Sequence, residues 1–191
     1  MASWRKIARR IRVPVGFAFA ALYIWLARPT TVSILLGAVL VLPGILIRAL
    51  ASGHVRKNEQ LATTGPYAYT RNPLYLGSLV LAAGFAVAAR SWWIAGILTV
   101  YFVIVYIPVI RGEEEFLRER FPEFAQYEQV VPRLLPQPGW WPGKAGRGTP
   151  RPYADSGGFS WALYCKHREY NALLGATAML AALAVKMFWA K

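Results

Sequence analysis

Cysteine is almost missing from this chain: Cys165 stands alone among 191 residues, so no internal disulfide framework can form. Histidine is nearly as scarce. His54 and His167 are too few and too far apart for a metal site, and no metal is expected. Acidic residues number 9 against 22 lysines and arginines, a formal charge of +13. Such a balance can mark a nucleic-acid protein. Here no basic helix or aromatic–basic module lies outside the apolar stretches, so no nucleic-acid partner is expected. A small-residue cleavage site is also missing after the first apolar run. That run meets Arg28 and Pro29 and a second begins at once, so it reads as a retained segment rather than a signal peptide.

Apolar sequence, by contrast, is abundant: 56% of residues are hydrophobic, and they are kept apart from the charge. A charge in hydrocarbon is costly, so a bilayer demands this segregation. A span needs about 20 apolar residues, with about 17 at the short end. Five stretches qualify, at 13–27, 31–51, 74–89, 92–110 and 171–189. The expected fold is an all-α integral membrane protein of about five transmembrane helices. The first and second, and the third and fourth, are joined by very short connections, which predicts antiparallel hairpins. Gly77, Ser78, Ala82, Ala83 and Gly84 predict close helix packing. Pro43 and Pro108 predict kinks, because proline removes a backbone hydrogen bond.

Lysine and arginine predict the orientation. Eighteen lie in the N-terminal segment and the two long polar segments, against 4 on the other side. The N-terminus and the polar site are expected to face the cytoplasm and the C-terminus the opposite side. Between Pro136 and Gly158, 11 of 23 residues are glycine or proline, which reads as a surface linker, with Trp140 and Trp141 at headgroup level. The chain then divides into an N-terminal hairpin (1–51), a core holding the second hairpin (52–136), the linker (137–158) and a C-terminal transmembrane helix (159–191).

The candidate chemistry lies in two polar stretches. One is residues 52–77, with a Gly65-Pro66 turn, proline suited to open a helix at Asn72-Pro73, and Tyr67, Tyr69 and Tyr75 close together. The other is Glu113-Glu114-Glu115, directly after the fourth span. An acidic triplet at the membrane surface of a basic protein reads either as a solvated helix face paired with Arg118 and Arg120 or as a seat for a cationic ligand group. The tyrosines read either as an interfacial aromatic belt or as part of a site.

The strings GPYAYTRNPLYLG and EEEFLRERFPEFAQYEQVVPRLLP, separated by a hydrophobic hairpin, resemble the isoprenylcysteine carboxyl methyltransferase family, part of a wider group that includes phospholipid N-methyltransferases. The matching positions are Gly65, Tyr67, Arg71-Asn72-Pro73-Leu74-Tyr75, Glu113-Glu114 with Leu117, and Tyr127 with Val131-Pro132. The resemblance covers roughly residues 52–136. It implies S-adenosylmethionine as methyl donor, held in a cytoplasmic pocket, and a lipid acceptor entering from the bilayer. Carried over, the cofactor contacts fall on Glu59, Gln60, Leu61, Ala62, Tyr67, Asn72, Pro73, Leu74, Tyr75 and Glu113.

The residue chemistry agrees with that implication. Glu113 or Glu114 can pair with a cationic group of the donor, and tyrosine faces suit a sulfonium. Arg71 and Arg111 offer forked donors to a carboxylate of cofactor or substrate. Arg71, Arg111 and Glu114 are therefore the candidate catalytic residues. If the acceptor is already a carboxylate, alignment and exclusion of water suffice and no base is needed. Departures from the family pattern leave the acceptor open. Glu59 stands where the family has histidine, Asn72 replaces another histidine, Val109 replaces a substrate-linked arginine, and Pro122 replaces glycine. The leading expectation is methylation of a carboxylate on an isoprenoid or other membrane lipid. Alternatives are N-methylation of phosphatidylethanolamine, which needs a base such as Glu59, and an NADPH-dependent reductase of the sterol type.

Overall fold

The computed structural model describes residues 18–56, 59–136 and 158–189. The described residues form helices and turns, with no strand among them. Helix α1 is described over residues 18–26. Helix α2 spans Thr31–His54, and α3 spans Pro73–Ala89 after a short 3₁₀ turn at Gly65–Ala68. Helix α4 runs without a break over Trp92–Arg120, followed by α5 at Phe124–Val130, α6 at Trp161–Lys166 and α7 at Tyr170–Trp189.

Three of these helices, α2, α4 and α7, are long and apolar enough to cross a membrane, and α3 is a shorter apolar helix of the same character. Their outward faces are rich in exposed large apolar side chains, among them Leu35, Leu42, Trp92, Ile104 and Leu174. In water such surface would drive association; facing lipid it needs no cover. Of the five expected spans, the first extends beyond the described residues, as do most of the Gly/Pro-rich linker and the Trp140–Trp141 pair.

The tightest packing in the fold is between α2 and α3, which run antiparallel. A Cβ on Gly37 would lie 2.5 Å from that of Ala88 and 2.6 Å from the Gly84 carbonyl, and one on Gly44 would lie 2.9 Å from the Gly77 carbonyl. Two glycines seven residues apart on each helix therefore let the backbones touch, as the small residues of α3 predict. The start of α2 is fixed by a reciprocal cap. Ser33 N–H donates to Thr30 Oγ1 (3.2 Å), and Thr30 N–H donates to Ser33 Oγ (2.9 Å). Ser33 Oγ also donates to the Ala88 carbonyl (3.0 Å), tying this cap to the end of α3.

Both prolines expected to kink their helices lie inside helices. Pro43 is within α2. Pro108 directly follows a π-helical turn at Phe102–Tyr106 in α4, where the Ile107 N–H reaches back to the Phe102 carbonyl. Proline cannot supply the next N–H of the ladder, and a widened turn is one way a helix absorbs that loss. Helix α4 does not stop at the membrane boundary expected near residue 110. It carries the glutamate triplet and ends at Arg120.

Helix α7 is tied at both ends. At its start, Arg48 of α2 donates to both carboxylate oxygens of Glu169 (2.9 and 2.8 Å). At its other end, Lys186 Nζ donates to the Trp25 (3.0 Å) and Ala27 (2.7 Å) carbonyls where α1 finishes. That lysine serves the carbonyls a helix end leaves unpaired.

Candidate functional site

The two polar stretches meet at one end of the helices. The 3₁₀ turn opens with Gly65 at φ +59°, a backbone conformation natural to glycine. The His54 ring also lies against this residue, and a Cβ there would come within 2.5 Å of Nε2. The turn delivers Tyr67 and leads into Asn72-Pro73, with proline in the first turn of α3 as expected. Tyr75 then projects from the first turn of α3, and its hydroxyl donates to Glu113 Oε2 on α4 at 2.8 Å. The Tyr75 ring meets Tyr106 edge to face, with centroids 5.6 Å apart.

Glu113 and Glu114 are neighbours with opposite environments. Successive helical residues point about 100° apart, so one can face a cavity while the next is buried. Glu114 is 2% exposed. It accepts from Asn72 Nδ2 (3.0 Å) and Arg133 Nε (2.9 Å), and Arg71 Nη1 lies 3.5 Å away. Asn72 would ordinarily cap α3 through its side chain. Instead its amide also donates to the Arg133 carbonyl (2.9 Å). Arg71 N–H donates to the Pro132 carbonyl (2.9 Å), and Tyr127 Oη donates to the Tyr67 carbonyl (2.6 Å). The segment after α5 is thereby fastened back onto the turn before α3.

Beside this knot lies a pocket lined by Gln60, Leu61, Ala62, Tyr67, Arg71, Asn72, Pro73, Leu74, Tyr75 and Glu113, together with Val55, Arg56, Phe116, Leu117, Phe121 and Tyr127. Every residue expected to contact the cofactor lines it except Glu59, which is exposed and outside the lining. Among the three candidate catalytic residues, Arg71 lines the pocket, Glu114 is buried in the adjacent knot, and Arg111 is exposed on α4 away from the lining. Phe116 and Leu117, one turn beyond Glu113, and Phe121 after α4 were not singled out as site residues by sequence reasoning. Their helical spacing from Glu113 was the available signal. Arg133 gave none, lying 19 residues from the carboxylate it pairs with.

Electrostatically the pocket is lined by the carboxylate of Glu113 and the guanidinium groups of Arg56 and Arg71. Arg71 is engaged through Nη1 by Glu128 (3.3 Å), while its buried Nε has no hydrogen-bond partner. A buried donor left unpaired is costly. Burial pushes the Tyr67 and Tyr127 hydroxyls above the usual phenol range, so both stay neutral. The hydrogen bond from Arg118 (2.7 Å) holds Glu128 below its ordinary carboxylate range. Among the described residues no cluster of three or more metal-ligating side chains occurs.

The pocket is made from the start of one apolar helix and the far end of the next, and its lining includes tyrosines and one glutamate. Residues 32–123 match the phospholipid methyltransferase family. That segment runs from α2 through the end of α4 and contains most of the pocket. The cobalt-zinc-cadmium resistance protein CzcN of Cupriavidus metallidurans is 39% identical over 82 residues, covering 43% of this chain and 38% of that protein. The nickel-cobalt-cadmium resistance protein NccN of Alcaligenes xylosoxydans xylosoxydans matches with the same identity and coverage. The chain thus spans under two fifths of the length of these curated relatives. No solved structure matches.

Proposed function

We propose that this chain is a membrane methyltransferase that takes its methyl group from S-adenosylmethionine and gives it to a lipid-like acceptor. The observation that carries the reading is the Tyr75–Glu113 hydrogen bond of 2.8 Å, which joins two motifs 38 residues apart in one pocket. The family match over residues 32–123 supports the same chemistry. The residues fit the donor: Glu113 for its ammonium, the Arg71 guanidinium at the pocket wall for its carboxylate, and the faces of Tyr67 and Tyr75 for its sulfonium. When bound, the donor supplies an electrophilic methyl group. The chain holds it, excludes water with Leu61, Phe116 and Phe121, and orients the acceptor.

A carboxylate on an isoprenoid or other lipid is the leading acceptor, because its transfer needs no base. Glu113 is the single carboxylate lining the pocket among the described residues, and it already accepts from Tyr75. N-methylation of phosphatidylethanolamine is the second reading, favoured by the family that matches. It requires an amine to lose a proton, and Glu59, the candidate base, is exposed and outside the lining. The test is incubation of purified protein with methyl-labelled donor and total membrane lipid. Base-labile label in an acidic lipid fraction supports ester formation; base-stable label in the ethanolamine lipids supports the second reading. Label in no lipid fraction would contradict both.

A further inference from the structure

A second cavity, of about 670 Å³, lies among the apolar helices rather than at their polar end. Its volume falls within the roughly 300–1,000 Å³ of small-molecule sites. Its body is apolar, with Phe85, Leu98 and Met179 among its lining. Its polar lining is confined to Arg48, Ser78 and Asn171, and to the hydroxyls of Tyr23, Tyr101 and Tyr106. Arg48, Ser78, Tyr106 and Asn171 all stand toward the helix ends nearest the donor pocket. Tyr106, in the lining of this cavity, meets Tyr75, in the lining of the donor pocket, edge to face at 5.6 Å. An apolar body with a polar end beside the donor matches the shape of an amphiphile whose head is to be methylated.

Two walls of this chamber come from α1 and α7, which lie outside the segment matching the family. Helix α7 is latched over it by the two-pronged Arg48–Glu169 pair, with side chains 23% and 14% exposed. A forked arginine–carboxylate contact fixes orientation as well as distance. Resting on the methyltransferase reading, we propose that α7 forms the wall of the acceptor's hydrocarbon site. On this account α7 and its Arg48–Glu169 latch set which lipid tail the enzyme accepts. The occupant is a lipid chain lying in the chamber, with its head at the Tyr75–Tyr106 pair.

Gly175 offers the test. It lines the chamber, and a Cβ placed there would meet no heavy atom within 4 Å. Gly175→Phe, whose Cβ meets no neighbour, should therefore narrow the chamber, and Gly175→Leu is the milder companion. In bilayers containing a photoactivatable phospholipid with its diazirine midway along the acyl chain, wild-type protein should crosslink at Met179 inside the chamber and at Leu35 on the lipid-facing surface. In Gly175→Phe the Met179 crosslinks should fall several-fold while those at Leu35 and S-adenosylmethionine affinity stay unchanged. With active protein, KM for the lipid acceptor should rise about tenfold or more, the scale of crowding in an apolar pocket, with a shift toward shorter tails. Unchanged Met179 crosslinking in both variants would overturn the chamber. Met179 crosslinking that is present in wild type and lost in Gly175→Phe, from a protein that methylates nothing, would leave the chamber standing and remove the methyltransferase reading.

Discussion

At the scale of single residues, the two central glutamates have different work, and substitution should separate them. Glu113→Gln keeps the hydrogen-bonding shape but removes the charge facing the pocket. It should weaken S-adenosylmethionine binding about tenfold or more, consistent with about 1.5–3 kcal/mol for a hydrogen bond to a charged group, while the melting temperature holds. Glu114→Ala takes a shared buried carboxylate from Asn72 and Arg71, leaving them only the Arg133 carbonyl and Glu128. Breaking a buried pair from one side costs about 3–5 kcal/mol, so this variant should lose stability in thermal unfolding. Equal stability for the two variants would contradict the assignment. Glu128 makes a third case. Its carboxyl lies below the ordinary range because Arg118 donates to it. Its stabilising contribution is therefore present above the unfolded-state carboxylate pKa and lost as pH falls through the lower folded value. Melting curves of wild type and Glu128→Gln should differ at pH 6 and converge in strong acid. The triplet itself was visible in the sequence, as a solvated helix face or an acidic seat, but not which member faces inward. That depends on the rotation of α4 at its π turn, and on Arg133 returning from beyond α5.

At the scale of elements, the fold depends on the seam between α2 and α3. Its glycines were visible in the sequence on α3 as a close-packing signal; their partners Gly37 and Gly44 were read only as part of an apolar run. Helical hydropathy reports what faces lipid equally well as what faces a helix, so pairing between α2 and α3 was not legible from it. Gly84→Leu would drive a side chain into the Gly37 carbonyl, 2.8 Å from a Cβ at that position. It should shift Asn72 and Tyr75 on α3 away from the pocket. Donor binding and detergent-resistant folding should fall together, as read by calorimetry and size-exclusion elution, whereas Gly96→Leu, where a Cβ would meet nothing within 4 Å, should leave both unchanged.

At the scale of the whole molecule, the chain is a set of apolar helices that brings a polar pocket to one end and leaves an amphiphile-shaped chamber beside it. The helical, membrane-type character and the pairing of residues 52–77 with the glutamate triplet were legible from hydropathy and motif order. The outer walls were not, because α7 follows a Gly/Pro-rich stretch and its place is set by Arg48, Glu169 and Lys186, three ionisable residues scattered along the sequence. The most direct test of the account is titration of detergent-purified protein with S-adenosylmethionine and, separately, with NADPH. The account predicts saturable binding of the methyl donor, weakened in Glu113→Gln, and no response to NADPH. Binding of NADPH alone, or donor binding indifferent to Glu113, would contradict it.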